Sequence, residues 1–199
     1  MYLTKITVDG ITVASKHLYD EYRWKQELCK SVNPNELKEW ACRFLVKELS
    51  GEEIVYFLSQ EQPKILPYGT WETKQISESF YENKKYYFEV LANPTVKNVV
   101  FDKDGKRKRQ GKRNAVHPDK YEDWVKRKLT EGGCEVNNLS VCSKGMQICY
   151  RKGAKVSSIA VQYKGILNVK DENSFKRIAK VGIGHGRAFG LGLILLKKI

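Results

Sequence analysis

The sequence lacks the cysteine and histidine spacings that a metal cluster or a disulfide framework requires. It has five cysteines, an odd number with no C-x-x-C pair among them, and only three histidines. Zinc clusters and small secreted domains depend on closely spaced or paired cysteines, so both classes are disfavoured. We therefore expect reduced thiols in a cytoplasmic protein that uses no metal and no other cofactor.

Long apolar runs and a secretion signal are also missing, and acidic residues are few beside basic ones. The 199 residues include 36 Lys and Arg against 23 Asp and Glu, which gives a formal net charge of +13. Such an excess indicates a polyanionic partner. Because no apolar span or basic amphipathic N-terminal helix would attach the chain to a membrane, we expect nucleic acid as the partner and no membrane.

The two common glycine motifs for phosphate are absent from the most glycine-rich segment, residues 182–193. In a G-x-G-x-x-G pattern begun at Gly182 or Gly184, the last position holds Arg187 or Phe189, and no Gly-Lys-Ser/Thr is present. Two interpretations stay open, a tight helix-to-strand connection or a loop whose backbone lies against phosphate. The charge of the chain favours the second. The candidate contacts are Gly184, His185, Gly186 and Arg187.

Hydrophobic periodicity predicts the order of elements in the first part of the chain. The predicted elements are a strand at 2–8, a helix at 14–31, and strands at 44–49 and 54–59. Ser15 is the predicted N-cap of the helix, and a turn at 50–53 joins the two strands into a hairpin. Residues 60–80 give no clear pattern.

The second part of the chain repeats this order. The predicted elements are a strand at 86–92, a helix at 119–130, strands at 136–141 and 156–169 with an extra ribbon at 146–150, a helix at 171–181 and a strand at 191–196. Strand-helix-strand-strand-helix-strand is the ferredoxin-like order, which RNA-recognition modules share. We predict an α+β fold of tandem ferredoxin-like (RRM-like) domains, residues 1–80 and 81–199. The aromatic RNP signature is absent, so base stacking on the sheet is not expected.

A strongly basic segment spans residues 97–113, with eight cations against two aspartates. Because the cations repel one another, we expect an arm that becomes ordered on phosphate groups, with a solvated loop or a targeting signal as the alternatives. The candidate RNA-binding cations are Lys103, Lys106, Arg107, Lys108, Arg109, Lys112 and Arg113, with Lys126 on the helix that follows.

Several short motifs occur in one order over nearly the whole chain. The chain begins Met-Tyr-Leu-Thr-Lys, and an early segment reads Tyr19-x-x-Tyr22-Arg23. Later motifs are Tyr-Phe-Glu-Val-Leu-Ala-Asn-Pro at 87–94, Gly-Lys-Arg at 111–113, a Trp124 helix ending in two glycines at 132–133, and the glycine segment with its strand at 182–196. In this combination the sequence resembles the CasE family, the CRISPR repeat endoribonucleases of type I-E Cascade complexes.

The resemblance implies an activity and its partners. CasE proteins bind the stem-loop of a CRISPR repeat and cut at its 3′ base without metal. The 2′-hydroxyl attacks the adjacent phosphate, which leaves a 2′,3′-cyclic phosphate and a 5′-hydroxyl. These proteins stay on the product inside Cascade. The implied partners are therefore the repeat hairpin and other Cascade subunits, with no small-molecule substrate.

The sequence departs from the family at the catalytic motif. That motif is Tyr-x-x-His, whereas this chain has Tyr22 where the catalytic histidine stands. A tyrosine, with a pKa of about 10, needs neighbouring cations to lose its proton. A packed helix aromatic is the alternative interpretation of Tyr22. The candidate catalytic residues are Tyr22, Tyr19 and Lys25, with Arg23 as an RNA contact.

None of the three histidines lies at a sequence position that would put it in the place of the family's catalytic histidine. His17 precedes Tyr22 by five residues, which is about 500° of rotation and puts the two about 140° apart on one helix. His185 is a candidate phosphate contact or a proton donor to the leaving oxygen, and His117 fits a helix start. Two functions stay open, a cleaving enzyme and a cleavage-deficient CasE-like subunit that binds and caps the guide hairpin. A subunit with protein contacts alone fits the basic segment less well.

Overall fold

The computed structural model describes residues 1–32, 43–97, 104–106 and 113–199, which form two four-stranded antiparallel sheets. The first sheet contains β1 (Tyr2–Asp9), β2 (Arg43–Leu49), β3 (Glu52–Ser59) and β4 (Thr70–Gln75), in the order β2-β3-β1-β4. The strands that follow are β5 (Lys85–Ala92), the ribbon β6 (Thr95–Lys97) and β7 (Arg113–Ala115), β8 (Cys134–Arg151), β9 (Ala154–Val169) and β10 (Ile194–Lys198). The second sheet has the order β10-β5-β9-β8.

Helices fill the connections between these strands. The described α-helices are α1 (Gly10–Ser15), α2 (Glu21–Ser31), α3 (Tyr121–Thr130) and α4 (Glu172–Val181), and 3₁₀ turns cover Glu78–Glu82, Pro118–Lys120 and Arg187–Phe189. In each sheet the first and third strands are central, which is the ferredoxin-like order and confirms the predicted fold. The first unit lacks one element of that order, because residues 60–69, all described, run from β3 to β4 without a helix.

The predicted single helix over residues 14–31 is wrong, because two helices cover this stretch. His17 adopts a left-handed backbone conformation, with φ of 55°, just beyond the end of α1. Asp20 then begins α2, and its Oδ1 accepts hydrogen bonds of 2.9 Å from two first-turn backbone N–H groups. A short acidic side chain favours this capping position over a helix interior. Ser15 is consequently the last residue of α1 and does not cap a helix.

The buried face of α2 also differs from the stripe that helical spacing predicts for residues 14–31, which runs through Ala14, Leu18, Tyr22, Lys25 and Cys29. Trp24 and Leu28 are each 1% exposed in the core of the first unit, where the Trp24 indole donates a hydrogen bond to the Glu53 carboxylate. Tyr22 and Lys25 are only half-buried. The side of α2 that carries Tyr22 is therefore available for contacts with the second unit.

The helices of the second unit follow the prediction. Helical spacing predicts inward faces of Tyr121, Trp124, Val125 and Leu129 in α3 and of Phe175, Ile178 and Ala179 in α4. These seven residues are all buried in one core. The bounds of the strands differ from the prediction. Residues 136–141 and the ribbon at 146–150 belong to the single strand β8, whose pairing with β9 shifts register twice. The last strand is Ile194–Lys198, since residues 191–193 still belong to the loop.

The two sheets are joined by a small apolar cluster and an ion pair. Leu45 and Leu58 of the first unit pack with Leu193, and Lys47 Nζ lies 2.7 Å from Glu89 Oε1. A domain boundary near residue 80 stays a prediction. No helix among the described residues is both long and apolar enough to cross a membrane.

Candidate functional site

The N-terminal end of α2 meets the glycine loop of the second unit, residues 182–193. The Tyr22 and Phe189 rings lie 6.1 Å apart between centroids. A β-carbon placed on Gly190 would lie 3.1 Å from Glu21 Cγ and 3.2 Å from Phe44 Cε2, so the loop backbone packs directly on the first unit. This junction brings together two segments that the sequence marks separately as candidate sites.

The long β8–β9 hairpin forms the third side of the junction. The Tyr150 backbone N–H donates to Asp20 Oδ2 at 3.3 Å, and Cys149 Sγ donates to Glu21 Oε2 at 3.3 Å. Burial, and then the Glu21 carboxylate, raise the pKa of Cys149 to about 12, so the thiol keeps its proton at neutral pH. Gln147 Nε2 donates to the Phe189 carbonyl at 2.7 Å. These hairpin contacts fix α2 and the glycine loop relative to each other.

Tyr22 has the surroundings of a packed aromatic. Its ring is half-buried between Phe189 and the Lys25 ammonium group, whose Nζ lies 5.9 Å from the ring centroid. The structure therefore brings two of the candidate catalytic residues, Tyr22 and Lys25, to the junction. The packing also fits the alternative interpretation of Tyr22.

Tyr19 lies outside the helix and contacts a histidine. The Tyr19 hydroxyl donates to the Ala14 carbonyl at 3.0 Å, and His17 Nδ1 lies 3.2 Å from the Tyr19 hydroxyl oxygen. Both rings are exposed, with centroids 5.6 Å apart in an edge-on arrangement. The rotation expected between His17 and Tyr22 holds only for one continuous helix, and the break between α1 and α2 removes that condition.

The glycines of the loop are explained by contacts within the protein. A β-carbon on Gly192 would lie 2.2 Å from the Ile183 carbonyl oxygen, and one on Gly184 would lie 3.0 Å from Trp124 Cη2. Gly186 has φ of 88°, and a β-carbon placed on it would lie 2.9 Å from Leu191 Cδ1. The helix-to-strand interpretation therefore accounts for the glycine content, and the phosphate contact stays a prediction.

Beside the loop, a cleft of ≈ 400 Å³ is lined by His185 and Arg113 among other residues. Burial first, and then the neighbouring Arg113 and Arg187 guanidinium groups, lower the pKa of His185, so its imidazole is neutral at pH 7. Asn93 also lines the cleft, and its buried Oδ1 has no hydrogen-bond partner among the described residues. Arg187 donates to the Val181 carbonyl at 3.3 Å. Arg113 is the charged residue that lines this cleft, and Asn93 Oδ1 offers it an acceptor for a hydrogen-bond donor.

The remaining candidate residues are spread over the surface. Arg23 and Lys106 are exposed, and Lys126 forms an ion pair of 2.6 Å with Glu122. Lys103, Arg107, Lys108, Arg109 and Lys112 lie outside the described residues. The hairpin residues that hold the junction are absent from the sequence-based candidates, because strand alternation gives no sign of which distant element a face will meet.

A family model described as CRISPR associated protein matches residues 1–198. The chain belongs to this CRISPR-associated protein family. No curated protein matches the chain by sequence.

Solved structures share the fold over the whole length of this family member. The CRISPR endoribonuclease Cse3 bound to a 19-nucleotide RNA superposes with a TM-score of 0.81 at 22% identity, covering 99% of this chain and 100% of the other. Cas6e from Escherichia coli K-12 gives 0.75 at 23% identity, with complete coverage of both chains. Thermus thermophilus Cse3 bound to an RNA representing a pre-cleavage complex gives 0.75 at 23% identity and 98% coverage of each chain.

Proposed function

We propose that this protein binds the stem-loop of a CRISPR repeat, cuts it at the 3′ base without metal, and stays bound as a subunit of Cascade. The observation that carries the proposal is the likeness over 99% of the chain to a CRISPR endoribonuclease bound to RNA, joined to membership of the CRISPR-associated family. A further likeness, at a TM-score of 0.70, is to a chain of a CRISPR RNA-guided surveillance complex, which supports the role of a subunit.

The charge of the protein supports RNA binding. Exposed cations lie on three of the described elements, with Arg23 on α2, Arg113 on β7 and Lys126 on α3. Arg187 extends this surface into the glycine loop. Each phosphate that a cation neutralises releases counterions, so affinity for the hairpin falls with salt.

The proposed chemistry is attack of a 2′-hydroxyl on the adjacent phosphate. A bond forms between the 2′-oxygen and phosphorus, and the bond from phosphorus to the 5′-oxygen breaks. The reaction needs a group that removes the 2′ proton and cations that stabilise the added charge on phosphate. We place this chemistry at the N-terminal end of α2, with Tyr19, Tyr22 and Lys25 as its candidate residues and Arg187 across the junction.

The second candidate function is binding and capping of the guide hairpin without cleavage. The half-buried position of Tyr22 against Phe189 favours it, because this is the packing of a structural aromatic residue. The test is one gel of the cognate repeat RNA, incubated in EDTA with purified protein, and a filter-binding assay on the same RNA. Cutting at the base of the stem supports the enzyme, whereas tight binding without cutting supports the capping subunit. Weak binding of the repeat would refute both.

A further inference from the structure

We propose that His17, oriented by Tyr19, is the general base of the cleavage reaction, in place of the residue at position 22. This inference rests on the proposed function, since it names the group that removes the 2′ proton. It follows from the break between α1 and α2, which places the His17 ring beside the Tyr19 hydroxyl.

The hydrogen bonds around Tyr19 determine which nitrogen of His17 carries the proton. A tyrosine hydroxyl has one proton, and Tyr19 donates it to the Ala14 carbonyl at 3.0 Å. The Tyr19 oxygen can then only accept from His17 Nδ1, 3.2 Å away. Neutral His17 therefore carries its proton on Nδ1 and presents the lone pair of Nε2. This is the arrangement that a general base requires, with a partner on one nitrogen that fixes the tautomer and the ring orientation.

The backbone at His17 is held in an unusual conformation. Its φ of 55° lies in the left-handed region, which only a few per cent of non-glycine residues adopt, asparagine, aspartate and histidine more often than the others. The next residue, Leu18, is 1% exposed, and its N–H bonds to the Val13 carbonyl at 3.0 Å. The buried leucine anchors the turn, so the exposed His17 ring projects from a fixed backbone. Backbone strain of this kind occurs often at functional sites.

The location of the pair gives it access to a bound polyanion. Asp20, three residues after His17, binds the Tyr150 N–H at the end of the β8–β9 hairpin. The exposed cations Arg151 and Lys152 lie at the tip of this hairpin. Because this hairpin contacts Asp20, we expect a phosphate backbone attracted to the tip to reach the turn that carries His17.

The step balances without any further reactant except water. His17 Nε2 accepts the 2′ proton as the 2′-oxygen bonds to phosphorus, and the 5′-oxygen leaves and takes a proton from water. The imidazolium then returns its proton to the hydroxide formed. Histidine suits this exchange because the imidazole ring both accepts and donates protons in enzyme reactions.

The test is single-turnover cleavage of the cognate repeat in EDTA, with affinity measured on the same RNA. His17→Asn keeps a residue that tolerates the left-handed backbone and removes the proton acceptor. It should slow cleavage by about 10²–10⁴-fold, the usual contribution of a positioned base, while affinity stays the same. Tyr19→Phe should cause a smaller loss. His117→Asn, at an exposed histidine of the second unit, is the matched control and should cleave like wild type.

Chemical rescue separates a base from a structural residue. His17→Gly fits the left-handed backbone and leaves space for added imidazole, which should restore part of the rate in this variant and none in wild type. If wild type cuts the repeat and His17→Asn cuts equally fast, the inference about His17 is wrong and the proposed function stands. Slow cutting by His17→Gly that imidazole leaves unchanged also contradicts a base. If wild type binds the repeat and never cuts it, the proposed cleavage fails, and the inference fails with it.

Discussion

At the scale of single residues, the glycine loop shows how closely two backbone segments approach. The Ile183 N–H donates to the Gly192 carbonyl at 2.9 Å, and Gly182 and Gly192 both have positive φ, at 77° and 89°. A β-carbon on Gly182 would lie 2.4 Å from the Gly192 carbonyl oxygen. The ends of the loop are therefore pinned together by groups that leave no room for a side chain.

Gly192→Ala should destabilise the protein strongly. The new methyl group must adopt the left-handed conformation and would also lie 2.2 Å from the Ile183 carbonyl oxygen, so the backbone has to move. We expect a loss of about 3 kcal/mol in the free energy of unfolding, the sum of left-handed strain and overpacking. Gly153→Ala is the control, because Gly153 has φ of 78° and nothing within 4 Å of the added carbon.

Urea unfolding of the two variants gives the comparison. The control should lose about 1–2 kcal/mol from backbone strain alone. Equal losses in the two variants would mean that the close approach at Gly192 is not a constraint on the fold.

At the scale of elements, α2 connects the two units, and Asp20 is the residue on which its position depends. One carboxylate oxygen of Asp20 caps α2, and the other accepts from Tyr150 of the β8–β9 hairpin. Hydrophobic periodicity predicts one helix over residues 14–31 and misses the start of α2 at Glu21. The apolar residues of α1 and α2 fit a single helical pattern, although two helices form. The Asp20 side chain is a cap signal in the sequence.

Asp20→Ala should destabilise the protein and weaken the junction together. We expect a loss of about 1–2 kcal/mol, typical of an N-cap aspartate, measured by urea unfolding. Asp9→Ala is the matched control, since Asp9 caps the shorter helix α1 through its bonds to Thr12. Only Asp20→Ala should also increase hydrogen exchange at Tyr150. Unchanged exchange at Tyr150 would show that this contact does not hold the hairpin.

At the scale of the whole molecule, the strand order could be predicted from the sequence and the site could not. The alternation of residues in β1 and β5 predicts which face of each strand is buried, and the helical spacing in α4 predicts its buried side. Together these patterns indicate the ferredoxin-like order. The contact of Tyr22 with Phe189 joins residues that are far apart in the sequence. The spacing of apolar residues within a helix or strand does not predict a contact between two distant segments. The same limit applies to His17, whose proposed role depends on how the turn folds.

The net charge of +13 predicts binding that weakens steeply with salt. Neutralising the arm, by changing Arg107, Lys108, Arg109, Lys112 and Arg113 to glutamine, should weaken hairpin binding. It should also flatten the plot of log affinity against log salt by about one unit for each phosphate that the arm no longer neutralises. Lys84→Gln, at an exposed lysine whose Nζ lies 3.8 Å from Glu172, is the control and should leave the slope unchanged. Equal slopes for wild type and the arm variant would contradict a role of the arm in RNA binding.

The most direct measurement of the central claim uses the cognate repeat RNA with a single 2′-deoxy nucleotide at the cut position. In EDTA, wild-type protein should cut the all-ribose repeat at the 3′ base of the stem and leave a 2′,3′-cyclic phosphate. It should bind the deoxy repeat equally well and leave it intact, because the attacking oxygen is gone. Cutting of the deoxy repeat, or cutting that requires added metal, would contradict the account.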